Sequence, residues 1–573
     1  MPPQEDKKVY LEEVEVNDCV CERPVCTVVV ETMAPKMKPT GRAGHTLTYS
    51  TIGSPYAGAE ESTSPSKNDY IVMIGGSNCK LEFFNDIWIY HIDSQMWFPL
   101  RQSNSPKNPV DKSAPPAMSP RSGHVAVSLP SVDYSLAPRG KITESLYVAE
   151  PEDDARVSGP VSRVLVVGGQ EVAINHKRQN LDITSFNDMW LLELYRTGPN
   201  PLSVKAVWVP ITPSLPKKFY FPALNSACAA YHDGKVVIFG GANDQGPSDR
   251  TFVYDLATNK LVEAKTTGEH PSPREMMHFG TAPIPGNNEN SEAKAQRMGL
   301  YVWSGRDFDG VCGDMYCLDI GALNDCDNGD SKATTTPETY SWTRVGPSPT
   351  VCAAASTFLT APIIPKPVVT PAVDNADNAD LAAAMSSLAL ASTAVPSSLF
   401  FTVGGSDNDA IVSDVYLSQP LHTFAQREKD AKAAWEIKNT ENPAPKKAQN
   451  KKKGAKAAPP SPATDIAARR CVACGGVRGW QRLENIPTME EFMTKNSEKK
   501  SEYSPGDDIL RDSVAVNQAE SPYFRMAGAL CSLPTHEEDK NGRKVVGKAF
   551  MFGGTTAEND HVDTKLFYFF ARE

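Results

Sequence analysis

The chain has 573 residues, of which 40% are hydrophobic, and this is enough apolar material for a sizeable core. Its 58 Lys and Arg against 69 Asp and Glu give a net charge of −11, which argues against nucleic acid as the main ligand, because that ligand needs a basic surface. No apolar run of about 18 residues exists, so no membrane span is predicted. The charged N-terminal segment lacks the apolar core of a secretory signal.

The cysteines are scattered along the chain, and several lie inside apparent strands, as Cys228 and Cys317 do. This pattern is typical of reduced, buried thiols and predicts a cytoplasmic protein without a disulfide framework. Cys471 and Cys474 have the spacing of half a zinc site, but zinc needs four ligands and no second pair follows. We therefore expect no metal, while the sequence leaves open whether this pair binds one.

A short apolar run that ends in a glycine pair recurs six times along the chain. Each run has the length and β-branched content of a strand, and each pair is followed by a polar loop and a second strand, usually introduced by an aspartate. The fourth unit has Ser304 in place of its first glycine. The pairs are Gly75-Gly76, Gly168-Gly169, Gly240-Gly241, Ser304-Gly305, Gly404-Gly405 and Gly553-Gly554.

An arginine-containing entry motif precedes four of the six units, and a tryptophan follows most of the second strands. Ala223 and Thr350 are expected at the arginine position of the third and fifth units. The arginines are Arg42, Arg121, Arg274 and Arg525, and the tryptophans are Trp97, Trp208, Trp342 and either Trp435 or Trp480. This order of motifs resembles the kelch repeat, and the resemblance implies an all-β, six-bladed β-propeller with long inserted loops.

The physical logic of the repeat agrees with that resemblance. A small antiparallel sheet with two apolar faces cannot cover both alone, whereas a closed ring of such sheets covers every face and protects the edges. We expect a single domain over 1–573. The predicted blades span about 41–100, 120–210, 222–264, 273–345, 349–485 and 522–573, the last completed by residues 26–32.

The two ends of the chain are predicted to meet in the sixth blade. That unit ends at Lys565-Leu-Phe-Tyr-Phe-Phe, its third strand, and leaves no residues for an outer strand. The segment Thr27–Glu31 leads directly into the first entry motif, as an outer strand does elsewhere in the chain. We therefore expect it to supply the missing strand and to remove an open sheet edge.

Long insertions separate the units. Polar loops are predicted at 101–119, 131–160, 171–185, 281–297 and 320–338, with a Pro/Ala/Asp-rich segment at 361–397 and the largest insertion at 421–520. Within it, residues 443–470 carry eight bases and one acid, which indicates a disordered tether or, alternatively, a patch that contacts the cytoskeleton, RNA or an import receptor. Thr488 and Glu491 have the spacing of a capping box.

The kelch resemblance also implies candidate binding residues. In kelch domains that grip peptides, contacts lie just after the glycine pair and just after the entry arginine, at one mouth of the central channel. Carried onto this sequence, the main candidates are Ser77, Asn78, Ser122, Gln170, Glu171, Asn243, Glu275, Arg306, Asp307, Ser406, Asp407 and Thr555. The same reasoning adds Ala43, Leu224, Ala242, Val351, Met526 and Thr556.

These residues predict a polar mouth in which acids outnumber the single base, Arg306. A basic or polar segment of a partner protein is the expected ligand, and docking on an insertion or blade edge is the alternative. We expect a non-catalytic scaffold or subunit of an assembly, without a cofactor. The alternatives are a propeller enzyme acting on a small molecule, and a cytoskeleton- or RNA-associated protein using the 443–470 segment.

Catalysis is disfavoured because the sequence shows no nucleophile elbow, P-loop or dinucleotide fingerprint. His45 and His124 occupy the same position of the repeat, so a scaffold role accounts for them.

Overall fold

The computed structural model describes residues 12–14, 26–53, 68–100, 117–133, 160–175, 180–198, 200–284, 297–321, 339–362, 396–408, 410–419, 421, 469–471, 480–483, 486–491, 521, 523–534, 545–556 and 558–571. These residues are almost entirely strands, with a helical turn at 489–491. Most of the Pro/Ala/Asp-rich segment at 361–397 and nearly all of the 443–470 segment lie outside the described residues. No helix in the described ranges is long and apolar enough to cross a membrane.

The first three blades are four-stranded antiparallel sheets, each ordered from the inner to the outer strand. The first comprises Thr46–Thr51, Asp69–Ile74, Ile87–His91 and Met96–Pro99. The second comprises Val125–Asp133, Pro160–Val167, Met189–Arg196 and Val204–Ile211. The third comprises Cys228–His232, Lys235–Phe239, Thr251–Asp255 and Lys260–Glu263.

The remaining blades repeat this order with two variations. The fourth comprises His278–Pro283, Met298–Trp303, Asp314–Asp319 and Thr339–Pro347, and Lys265–Gly268 adds a fifth, parallel outer strand. The fifth comprises Ala355–Pro362, Pro396–Val403, Val415–Ser418 and Trp480–Arg482. The sixth comprises Ala529–Leu533, Val545–Phe552, Thr564–Ala571 and Cys26–Met33.

Among the described residues, three short strand pairs lie outside the blades. Gln170–Asn175 pairs with Asn180–Ser185, and Ala242–Asn243 pairs with Gly246–Pro247. Glu12–Val14 pairs in parallel with Arg469–Cys471. The first pair corrects the prediction of an irregular polar loop at 171–185.

Each blade buries both of its faces, which explains the near-continuous apolar runs before the glycine pairs. In the strand Asp69–Ile74, Ile71 and Met73 pack against the sixth blade, while Tyr70 and Val72 pack against the second. Every one of the six interfaces between neighbouring blades holds its own buried apolar cluster. The inner strands also contact one another in a closed circle that returns from the sixth blade to the first. The six-bladed ring is therefore confirmed.

The outer-strand tryptophans fill the space between blades. Trp97, Trp208 and Trp342 are almost fully buried, and Trp480 occupies the same position in the fifth blade. The Trp480 indole N–H donates to the carbonyl of Pro347 at 3.0 Å. Trp480 thus belongs to the outer strand of the fifth blade, while Trp435 lies outside the described residues.

The N-terminal strand completes the last blade, as predicted. Cys26–Met33, here called the closing strand, pairs antiparallel with Thr564–Ala571 over its whole length. Its Val28 and Val30 side chains enter the core between the fifth and sixth blades. The sixth sheet is thus built from both ends of the chain.

A segment of the fifth-blade insertion covers the outer edge of the closing strand. In residues 486–491, here called the capping segment, the Pro487 carbonyl accepts the Val30 N–H at 3.0 Å. Met489 packs on the cluster formed by Val29 and Phe570. The predicted capping box is confirmed, because Thr488 and Glu491 exchange backbone-to-side-chain hydrogen bonds of 2.9 and 3.2 Å.

Candidate functional site at one mouth of the propeller

The entry arginines are structural. Arg42 is fully buried, donates to the Gly75 carbonyl at 3.0 Å and makes a two-pronged contact with the Asp86 carboxylate at 2.5 and 3.0 Å. The same arrangement recurs at Arg121 with Asp188 and at Arg525 with Asp563, whereas Arg274 donates to the Ser304 carbonyl and to one carboxylate oxygen of Asp314. Each guanidinium therefore ties a blade's entry to its glycine pair and third strand.

In two of these pairs the arginine outweighs the effect of burial on the carboxyl pKa. Burial of Asp188, which alone would raise its pKa, is opposed by hydrogen bonds and charge from Arg121, so the pKa of Asp188 lies below its usual range. Arg525, together with Lys565, holds the pKa of Asp563 well below its usual range against the same effect of burial. Asp188 and Asp563 are accordingly stabilised in their charged form.

The predicted alignment of the third and fifth entries is wrong by one residue. Asn225 pairs with Ala242 and Cys352 pairs with Ser406, in the same way that Ser122 pairs with Gln170. The arginine position is therefore occupied by Leu224 and Val351, not by Ala223 and Thr350. The floor position after the entry residue is therefore held by Asn225 and Cys352, both of them largely buried, and not by Leu224 and Val351.

The two blades without an entry arginine compensate differently. In the fifth blade, Asp414 pairs with Arg482 of the outer strand at 2.6 Å. In the third, the position of the aspartate is taken by Arg250, which pairs with Glu263 at 2.7 Å. In neither blade is a buried charge left at the entry without its partner.

A closed circle of backbone hydrogen bonds, here called the axial ring, surrounds the axis just after the entry residues. Each member donates its N–H to the carbonyl of the equivalent residue in the preceding blade, at distances from 2.5 to 3.2 Å. All six have a positive φ between 51° and 65°. The members are Gly44, Gly123, Ser226, Met276, Ala353 and Ala527.

The floor of the mouth consists of six residue pairs, one in each blade. In each pair the residue after the entry position and the residue after the glycine pair form a β-bridge. The pairs are Ala43–Ser77, Ser122–Gln170, Asn225–Ala242, Glu275–Arg306, Cys352–Ser406 and Met526–Thr555. The structure thus brings candidates from distant parts of the sequence to one end of the ring.

Several predicted mouth residues hold their own loops. The Asp307 carboxylate accepts the N–H groups of Asp309 and Gly310, and that of Asp407 accepts the Ala410 N–H. Asn78 and Asn243 bind loop amides in the same way, and so does Thr556. These side chains set the loop conformation, as Asx turns do.

Charge at the mouth is concentrated at the fourth blade. Arg306 is exposed, and Glu275 beside it is half-buried. Burial raises the pKa of Glu275, while the charge of Arg306 lowers it to a smaller extent. Burial likewise raises the pKa of the neighbouring Cys352 thiol. Glu275, Arg306 and Cys352 thus place an acid, a base and a neutral thiol next to one another on the floor of the mouth.

Apolar side chains are exposed at the rim of this mouth, and the sequence analysis did not single them out. Phe308, 68% exposed, lies over Gly246 of the third blade, where an added Cβ would be 2.7 Å from its ring. Ile174, Leu181 and Ile183, all at least 50% exposed, lie on the strand pair that follows the second glycine pair. The alternation V-A-I and L-D-I within 172–183 was the available signal.

The histidines of the repeat are packed inside the ring. Burial lowers the pKa of both His45 and His124 to about 3, with smaller contributions from Arg42 and Arg121 respectively. His124 hydrogen-bonds the Thr46 hydroxyl at 3.0 Å, and His45 packs edge-on against Phe552.

Within the described ranges, no group of three or more His, Cys, Asp or Glu residues could hold a metal ion. Cys474 lies outside those ranges.

Six radially arranged sheets of at least four strands, each packed face to face against its two neighbours, define a β-propeller. A family model described as the kelch motif matches residues 223–260, which comprise the third blade's entry and first three strands. No curated protein matches the sequence. The chain thus contains a kelch motif, and its six blades form a β-propeller.

Proposed function

We propose that this protein is a non-catalytic interaction scaffold or assembly subunit that binds a partner protein at the mouth just described. The observation that carries the proposal is the Glu275–Arg306 pair, an exposed base beside a half-buried acid, on a floor fixed by the axial ring. A rigid floor lowers the entropic cost of binding, and the variable loops around it carry recognition.

Glu275 and Arg306 favour a partner segment that is polar and carries basic groups. A base entering the mouth would meet Glu275, whose partial burial strengthens any charge pair that it makes. Asp307 and Asp407 contribute negative potential, although their carboxylates also bind loop amides. Free, mostly buried thiols among the described cysteines support a reducing compartment, and we propose the cytoplasm.

The test is affinity purification with mass spectrometry, comparing the wild type with the double variant Glu275→Lys/Arg306→Gln. Recovery of partners that use the mouth should fall about tenfold or more with the variant, because a lysine in place of Glu275 repels a basic segment. Lys260→Glu, on an exposed site of the third blade's outer strand, is the matched control. If the double variant recovers the same partners in the same amounts, the mouth is not the binding site.

A further inference from the structure

The strand pair formed by Gln170–Asn175 and Asn180–Ser185, here called the rim hairpin, has two chemically different faces. Cross-strand partners share a face, so the register places Ile174 with Leu181 and Val172 with Ile183 on one side. The other side presents Glu171 opposite Thr184, and Ala173 opposite Asp182. The hairpin is thus apolar on one face and acidic on the other.

The apolar face of the rim hairpin is open to solvent. No described blade strand exposes a comparable cluster of aliphatic side chains. Ile174, Leu181 and Ile183 are 50%, 53% and 62% exposed, whereas the blade strands bury their large aliphatic side chains between neighbours. Adjacent exposed aliphatic residues on one small sheet mark an interaction site.

The outer strand of the rim hairpin also has an open edge. Asn180–Ser185 pairs with Gln170–Asn175 on one side, and no other described strand pairs with it. Its residues are exposed nearly throughout. An unpaired edge can accept a further strand by backbone hydrogen bonding.

We propose that the rim hairpin binds an extended partner segment, in which apolar and basic residues alternate, as an added strand along Asn180–Ser185. Side chains of an added strand point alternately to the two faces of the sheet. One set would cover Leu181 and Ile183, and the other would face the acidic side at Asp182. The inference rests on the proposed function and names the chemistry of its partner.

A second copy of the chain is the less suitable occupant. Four aliphatic side chains bury too little area for a stable dimer, which needs on the order of 1,000 Å² in total. A partner segment bound to the hairpin adjoins the floor of the mouth, because Gln170 at the base of the hairpin bridges Ser122.

The binding test uses a labelled peptide, Lys-Val-Lys-Ile-Lys-Val-Lys, with fluorescence anisotropy as the readout. The same residues rearranged into a basic half and an apolar half form the first control peptide, and the alternating peptide with Glu for Lys forms the second. We expect saturable binding of the alternating basic peptide alone. Equal binding of the rearranged peptide, or no saturable binding of the alternating one, would overturn the inference.

Variants locate the binding on the hairpin. Leu181→Lys/Ile183→Lys should weaken the peptide about tenfold or more through the apolar face, and Asp182→Lys should do so through the acidic face. Met96→Lys, which introduces a single lysine at an exposed apolar position of the first blade, is the control and should bind as the wild type does. Equal affinity for all four proteins, or a dimer in sedimentation that depends on Leu181 and Ile183, contradicts the assignment.

A shortened protein separates this inference from the proposed function. Gln170 and Ser185 are cross-strand partners, so Asn-Gly can replace residues 171–184 as a two-residue turn. If affinity purification loses partners with the Glu275/Arg306 variant but keeps all of them with the shortened protein, the hairpin inference fails and the proposed function stands. We expect both proteins to lose the same partners.

Discussion

The N–H of Gly44 in the first blade donates to the carbonyl of Ala527 in the sixth blade at 2.8 Å. These two residues lie near opposite ends of the sequence, and their bond completes the axial ring. The ring requires a positive φ in every blade, which L-residues adopt at a cost of about 1–2 kcal/mol. Ala353 and Ala527 show that an alanine is accommodated at this position.

Gly123 is the member of the axial ring that should tolerate a side chain least. A Cβ at Gly123 would lie against the Asn225 amide, whereas one at Gly44 would be 3.1 Å from its nearest neighbour, the Ser122 Cβ. Gly123→Ala should therefore lower the free energy of unfolding more than Gly44→Ala, by about 2 kcal/mol or more against about 1. Urea denaturation of both variants checks this, and equal losses would contradict it.

The closing strand should be essential for the stability of the ring. Deletion of residues 1–34 removes Val28 and Val30 from the core and leaves the edge of Thr564–Ala571 unpaired. We expect a sharp fall in melting temperature and an increased tendency to aggregate. Deletion of residues 1–11 keeps the closing strand and is the control. A long deletion that melts like the full chain would refute the closure.

The charge pair of the second blade can be tested by removing its members one after the other. Arg121→Leu leaves Asp188 without its partner and should cost about 2 kcal/mol of unfolding free energy. The double variant Arg121→Leu/Asp188→Asn removes the uncompensated charge and should recover part of that loss. Chemical denaturation measures both, and a double variant no more stable than Arg121→Leu would count against this explanation.

Stability should fall between pH 7 and pH 5 because of the buried histidines. Burial lowers the pKa of His45 and His124 to about 3, against an ordinary value of 6.5, so the unfolded chain takes up protons that the fold does not. Unfolding is then favoured as the pH drops below 6.5, by about 2 kcal/mol for each histidine at pH 5. Denaturation measures the loss of unfolding free energy between pH 7 and pH 5, and this loss should be smaller for His124→Asn than for the wild type. An equal loss in both proteins would exclude His124 as a cause of the pH dependence.

The capping segment should protect the closing strand. Met489→Asp places a charge on the cluster of Val29 and Phe570, and Val30 should then lose its hydrogen bond to Pro487. We expect faster hydrogen exchange across Cys26–Met33 in mass spectrometry, with the strand Thr46–Thr51 of the first blade as the internal reference. Unchanged exchange in the closing strand would show that the capping segment is dispensable.

Most of the fold could be predicted because its determinants are local and repeated. Six apolar runs with glycine pairs give the blades, and the missing outer strand after Thr564–Ala571 predicts the closing strand. The third and fifth entries were misaligned because they lack the arginine and glycine that mark the position elsewhere. In those two blades, only the β-bridges made by Asn225 and Cys352 show which residue takes the arginine position.

The candidate site was harder to predict for a different reason. Sequence places Asp307 and Asp407 after glycine pairs, but it does not show that their carboxylates bind their own loops. The rim hairpin was missed because its short alternation lies among polar residues typical of a loop. Whether the remaining candidates bind a partner stays a prediction.

The sheet shared by the two chain ends has a consequence for biosynthesis. Cys26–Met33 is synthesised long before its partner Thr564–Ala571. At about 5–20 residues per second, the early strand waits roughly half a minute to two minutes without its neighbour. Throughout that interval its valines are uncovered, so the nascent chain offers molecular chaperones a target that the finished protein no longer has.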